Sequence, residues 1–227
     1  DLFEEYGVAY QLYSPVVDVV KTGDTVSGVV VAAKEGHITY RAKTFIDATG
    51  DGDVAYRAGC EMEIAGDPET GWRPPVTVAW AVCNADVDRL YAWLDGGPEL
   101  DRHQYQAFND LLAAYRGQGY NLPGWIGFNR TTIPGVISIN NGTSLDLKLD
   151  CSRSETLTLI EKMAIDQALD FIRFAREKQL PGLENIYLMR TGGYAMARDT
   201  RRLVGVYRFN NRDVMEGTEF DDVVATK

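Results

Sequence analysis

Three arginines stand within five positions, in the run Arg198-Asp199-Thr200-Arg201-Arg202. Guanidinium groups grip planar carboxylates and phosphates through paired hydrogen bonds. Such a cluster suits an anionic small molecule, or negative charge that develops during a reaction. Tyr194, just after Thr191-Gly192-Gly193, could place a hydroxyl donor beside Arg198, Arg201 and Arg202. The same arginines could instead neutralise local acids, Asp199 and Asp213 among them, in a structural ion-pair network. A second run, Ile46-Asp47-Ala48-Thr49-Gly50-Asp51-Gly52-Asp53, is an apolar stretch that ends in small residues. Small residues let a backbone approach something closely, and ligands of open α/β sheets lie beyond the carboxyl ends of strands. The plainer alternative is an Asp/Gly turn that only leaves a strand. A calcium loop is disfavoured, because the full alternating ligand set and its terminal Glu are missing.

The elements that must position these residues follow from pattern. Val16, Val17, Val19 and Val20 lead to a Thr22-Gly23-Asp24 turn, and Val26–Ala33 is an apolar, β-branched run. Lys34-Glu35-Gly36 turns the chain into His37–Arg41, so residues 8–48 predict a three-stranded antiparallel meander. Thr44–Ala48 reads as a short, fully buried strand, and Val54–Ala58 as a short helix stopped by Gly59. Further on, the pattern predicts a loop at 66–75 and a strand over Val76–Val82. Helices are expected over Asp86–Leu94 and Gln104–Arg116, divided at Gly96-Gly97-Pro98. Leu157, Ile160, Ala164, Ala168, Ile172 and Ala175 recur at helical spacing before Pro181-Gly182, with Ser152 and Glu155 placed as a capping box. Residues 185–190 and 203–209 read as strands.

Composition narrows the function. The 227 residues carry 33 acidic and 23 basic side chains, a net charge of −10, which repels nucleic-acid backbones. No apolar run reaches the roughly 18 residues of a membrane span. Cys60, Cys83 and Cys151 form no Cys-x-x-Cys pair and read as buried free thiols, and only His37 and His103 are available as histidine ligands, so zinc is disfavoured. His37 reads as a solvent-facing strand residue and His103 as a surface residue. The chain opens at Asp1 without a targeting segment, which suggests the cytoplasm, although both ends look like cuts.

Residues 7–60, through Ile46-Asp47-Ala48-Thr49-Gly50-Asp51-Gly52-Asp53-Val54-Ala55 and Ala58-Gly59, resemble the middle of FAD-dependent oxidoreductases of the glutathione-reductase-type fold. Residues 197–224, with Arg198-Asp199-Thr200-Arg201-Arg202, Gly205-Val206-Tyr207, Asp213 and Phe220-Asp221-Asp222, resemble the Arg-Glu-Thr-Arg-Arg segment of the same branch. The resemblance implies an α/β, mixed α+β fold. A partial Rossmann-like FAD-binding domain with its meander would cover 1–65, a substrate or cap domain 66–197, and a return segment towards the FAD domain 198–227. It implies that Val16 touches the adenine through backbone and that Thr49, Gly50, Asp51 and Gly52 lie near the FAD phosphates and ribose. Arg198, Arg201, Arg202 and Tyr194 would serve a small, anionic substrate, with hydride passing to or from the flavin. The Gly-x-Gly-x-x-Gly loop that opens such proteins does not occur in the sequence. That leaves a second expectation: a fragment or subunit that holds no flavin alone and docks on a companion chain carrying the loop. Bare sheet edges would also favour a homo-oligomer.

Overall fold

The computed structural model describes residues 2–67, 69–94, 106–141, 149–221 and 223. The Gly96-Gly97-Pro98 break, His103 and Asp222 lie outside the described residues. In chain order the elements are α1 (Leu2–Glu5), β1 (Val16–Thr22), β2 (Thr25–Ala33), β3 (Gly36–Tyr40), α2 (Asp53–Arg57), β4 (Met62–Ile64), β5 (Trp80–Cys83), α3 (Val87–Trp93) and α4 (Gln106–Tyr115). They continue with β6 (Ile126–Arg130), β7 (Ile137–Asn141), α5 (Ser154–Glu177), β8 (Tyr187–Thr191), β9 (Arg201–Leu203) and α6 (Asn211–Glu216). The architecture is mixed α+β. The chain forms two compact units, residues 1–63 with 201–227, and residues 64–200. No helix among the described residues is long and apolar enough to cross a membrane.

In the first unit, β1, β2 and β3 form the antiparallel meander, with Val19 opposite Val29 and Val31 opposite Ile38. α2 is tied to it by two cations: Lys21 Nζ donates to the Ala58 carbonyl at 2.7 Å, and Arg57 Nε donates to the Val17 carbonyl at 2.8 Å. β4 pairs with β9, bringing together residues from opposite ends of the chain. α6 opens with a capping box in which the Asn210 side chain accepts the Arg212 N–H and Asp213 accepts the Asn210 N–H.

Two strand expectations in this unit are corrected. Thr44–Ala48 belongs to no strand or sheet, and Ile46 is 89% exposed. Apolar content marks a strand only when a partner supplies the other half of its hydrogen bonds, and no described strand lies beside it. Likewise the strand expected over 203–209 ends at Leu203, and Val206 stands fully exposed beyond it. The cysteines are free thiols, but Cys60 is exposed and only Cys151 is buried. His37 is exposed on its strand.

The second unit is built on an antiparallel sheet in the order β6-β7-β5-β8. α5 packs its Ile160, Ala164, Ala168, Phe171 and Ala175 stripe inward, each 2% exposed or less. Phe171 meets Trp80 edge-on at 5.6 Å and Phe108 at 6.3 Å, the geometry that aromatic quadrupoles prefer. Trp80 satisfies its buried Nε1–H on the Asn141 side-chain Oδ1 at 3.2 Å. The expected capping box is not formed. Ser152 spends its hydroxyl on Asp150 at 2.6 Å, and the helix starts after Arg153 without a side-chain cap. The strand expected over Val76–Val82 begins only at Trp80, with Thr77 bridging to Met196. Where α3 begins, Asp86 caps it by accepting the Arg89 N–H at 3.1 Å, and the Asp86 N–H donates to the Gly182 carbonyl at 2.9 Å.

Candidate functional site

The corner at residues 47–53 is organised by Asp47. Its Oδ1 accepts the Thr49 N–H at 3.1 Å and the Thr49 hydroxyl at 2.7 Å, and its Oδ2 accepts the Ala55 N–H at 2.9 Å. The Val54 N–H also bonds this carboxylate. Thr49 Oγ1 in turn accepts the Asp53 N–H at 2.7 Å. Together the two side chains satisfy the N–H groups of Asp53, Val54 and Ala55, which have no partner inside the first turn of a helix. Asp47 therefore does from a distance what a helix cap does at close range. Gly50 and Gly52 both take left-handed backbone, with φ 57° and 62°, which a side-chain-bearing residue adopts only at a cost. A Cβ at Gly52 would meet the Met62 methyl at 3.0 Å, whereas one at Gly50 would meet nothing within 4 Å. The N–H groups of Gly50 and Gly52 find no acceptor among the described residues.

Partial burial pushes the Asp47 carboxyl up, but the Thr49 hydroxyl and the N–H groups of Ala55, Thr49 and Val54 outweigh it and hold the group below its ordinary value. A carboxyl with a depressed folded value contributes stability above its unfolded value and loses it as pH falls through the folded one. The Ala55 amide is therefore expected to be protected from hydrogen exchange at neutral pH and to lose that protection in acid, below the ordinary aspartate range. Asp47→Asn should abolish the acid step, and a step that persists in that variant would acquit Asp47.

The sequence-derived candidates divide between the units. Thr49, Gly50, Asp51, Gly52, Val16, Arg201 and Arg202 lie in the first unit, whereas Tyr194 and Arg198 lie exposed on the second. Val16 sits in β1 where the register against β2 shifts. Arg201 Nη2 bonds Asp53 Oδ1 at 2.5 Å, and its guanidinium carbon lies 4.3 Å over the Tyr56 ring. Its side chain is 13% exposed, and its Nε is buried without a hydrogen-bond partner among the described residues. Arg202, next along the strand, is exposed and lines a cleft of about 330 Å³ with Glu63, Val204, Tyr207, Arg208 and Phe209. That volume is at the small end of ligand sites, roughly 300–1,000 Å³. The candidate acid Asp213 instead accepts the Tyr207 hydroxyl at 2.7 Å and the Asn210 N–H at 2.8 Å.

Asp47, Asp53, Tyr56 and Arg57 are site residues that spacing alone did not single out. A signal existed for two pairs. Asp followed two residues later by Thr marks a side-chain-closed turn, and Asp53 with Arg57 is an i, i+4 pair on α2, closed at 3.2 Å.

A family model described as FAD dependent oxidoreductase matches residues 1–227. Two solved structures are similar in fold, a flavin-dependent brominase, Bmp2, and a triple mutant of it. Both are 16% identical and cover 88% of this chain and 42% of their own, with TM-scores of 0.45 and 0.46. The chain thus spans less than half the length of those structures. No curated protein matches it.

Proposed function

Since the chain belongs to the FAD-dependent oxidoreductase family, we propose that its first unit contributes to an FAD site and its second unit to the site of a small, anionic organic substrate. Bound flavin would supply the acceptor or donor of a hydride. The observation that carries the reading is the corner at Thr49–Gly52. An anionic, hydroxyl-rich dinucleotide needs N–H and guanidinium donors on a surface with few side chains. The corner offers the N–H groups of Gly50 and Gly52 and open space beside Gly50, and Arg201, bonded to Asp53, brings a guanidinium close by. These residues fit the phosphate and ribose portion of FAD, and Val16, on the meander, fits a backbone contact to its adenine. Their part is to bind and orient; none of them is a nucleophile. Exposed Arg198 and Tyr194 are the groups of the second unit suited to a substrate carboxylate, with Arg202 suited to the same task in the first.

Purified full-length protein mixed with FAD and passed through a desalting column is expected to keep the flavin absorbance bands. A protein that emerges colourless after incubation with excess FAD would sink the reading. Exposed apolar residues in the first unit, Ile46 at 89% and Val206 fully, favour a second reading for the 227-residue stretch by itself. On that reading it holds flavin only beside a companion segment carrying a phosphate-binding loop, and the isolated stretch would stay colourless while the full-length protein would not.

A further inference from the structure

We propose that Asp53 is a positioning residue that aims Arg201 at the anionic part of the ligand held by the Thr49–Gly52 corner; this rests on the FAD reading above. Asp53 is bonded in three directions. Its N–H donates to Thr49 Oγ1 at 2.7 Å, so it is part of the corner. Its Oδ1 accepts from Arg57 at 3.2 Å and from Arg201 at 2.5 Å. Arg57 is anchored in turn on the Val17 carbonyl of β1. One carboxylate oxygen thus gathers two guanidinium groups.

The state of Arg201 separates positioning from mere bracing. Tyr56 fixes the plane of its guanidinium, Asp53 takes one of its amino groups, and its Nε–H stays buried with no acceptor among the described residues. A brace would be expected to satisfy its buried donors, because an unmade buried hydrogen bond costs free energy that folding does not recover. That donor is matched only if a small opening of the corner admits a phosphate oxygen to it.

The test measures FAD dissociation constants by flavin fluorescence quenching, and melting temperature without ligand, in the full-length protein. Asp53→Asn is expected to weaken FAD binding by about tenfold, the effect of one charge-assisted hydrogen bond. Because the substitution also removes a negative charge, a general electrostatic effect would tighten binding of an anion, so a weaker affinity reports lost positioning. The melting temperature should stay near that of the wild type. Arg201→Lys, which can keep an ion pair with Asp53 but lacks the planar fork, is expected to weaken FAD binding without a loss of melting temperature, and it decides the matter if Asp53→Asn does not fold. Wild-type or tighter affinity in either folded variant overturns the role of Asp53. A wild-type protein that binds no FAD overturns the FAD reading itself.

Discussion

Replacing Gly182 with alanine is expected to lower the melting temperature of residues 64–200 by about 10 °C or more, near 3 °C per kcal/mol for a unit of this size. Gly182 has φ 81°, and a Cβ there would lie 2.4 Å from the Asp86 carbonyl oxygen and 2.6 Å from the Leu90 nitrogen. Both obstacles are backbone, so no rotamer change relieves them. Nor can the backbone step aside cheaply. The Asp86 carbonyl holds the Leu90 N–H at 3.0 Å, the Asp86 N–H holds the Gly182 carbonyl, and Leu90 is fully buried in the core. Left-handed strain of roughly 1–2 kcal/mol adds to an overpacking cost of roughly 1–3 kcal/mol. Differential scanning calorimetry reads the result directly. A variant melting within about 2 °C of wild type, a shift worth under 1 kcal/mol at this size, would mean that the loop and α3 are not packed this closely.

Asp47→Ala is expected to weaken FAD binding by about 100-fold while leaving the melting of residues 64–200 untouched. The substitution removes four hydrogen bonds to one carboxylate and releases the first turn of α2. A helix of five residues has no stability of its own and survives only through such contacts. Water would replace part of what is lost, because the side chain is exposed. A net cost of about 3 kcal/mol for reforming the corner around the ligand corresponds to two decades in affinity. Thr49→Val keeps the shape and the carboxylate but deletes the hydroxyl shared by Asp47 and the Asp53 N–H, so its effect should be intermediate. Flavin titrations of the three proteins give the order, and Asp47→Ala binding FAD as tightly as wild type would separate the corner from the cofactor.

What could be read from sequence depended on how far apart the interacting residues lie. The meander was legible because its turns are short and its β-branched runs alternate. α5 was legible because its apolar residues recur over six turns. The corner was visible as a run of small and acidic residues, and its internal bonding, Asp47 to Thr49 to Asp53, spans few enough positions to be inferred from turn chemistry. The Arg201–Asp53 pair was not legible, since 148 residues separate its members and nothing local in either marks the other. Thr44–Ala48 misled for the converse reason: its composition is that of a strand, but the identity of a strand lies in its neighbour. Ser152 misled because Asp150, two residues away, takes both its backbone N–H and its hydroxyl hydrogen, leaving nothing for Glu155 to accept.

The pairing of β4 with β9 makes the first unit discontinuous, and this orders events as the protein is made. On a ribosome, Met62–Ile64 emerges long before Arg201–Leu203, and all of residues 65–200 are synthesised in between. Local hairpins close early and distant pairs late, because bringing remote segments together costs chain entropy in advance of any contact. The inserted unit can therefore complete its sheet and α5, and the meander its three local strands, while β4 still waits for its partner β9. Arg201 can reach Asp53 only in the final stage of folding, so the charge that would greet a cofactor is among the last features to form.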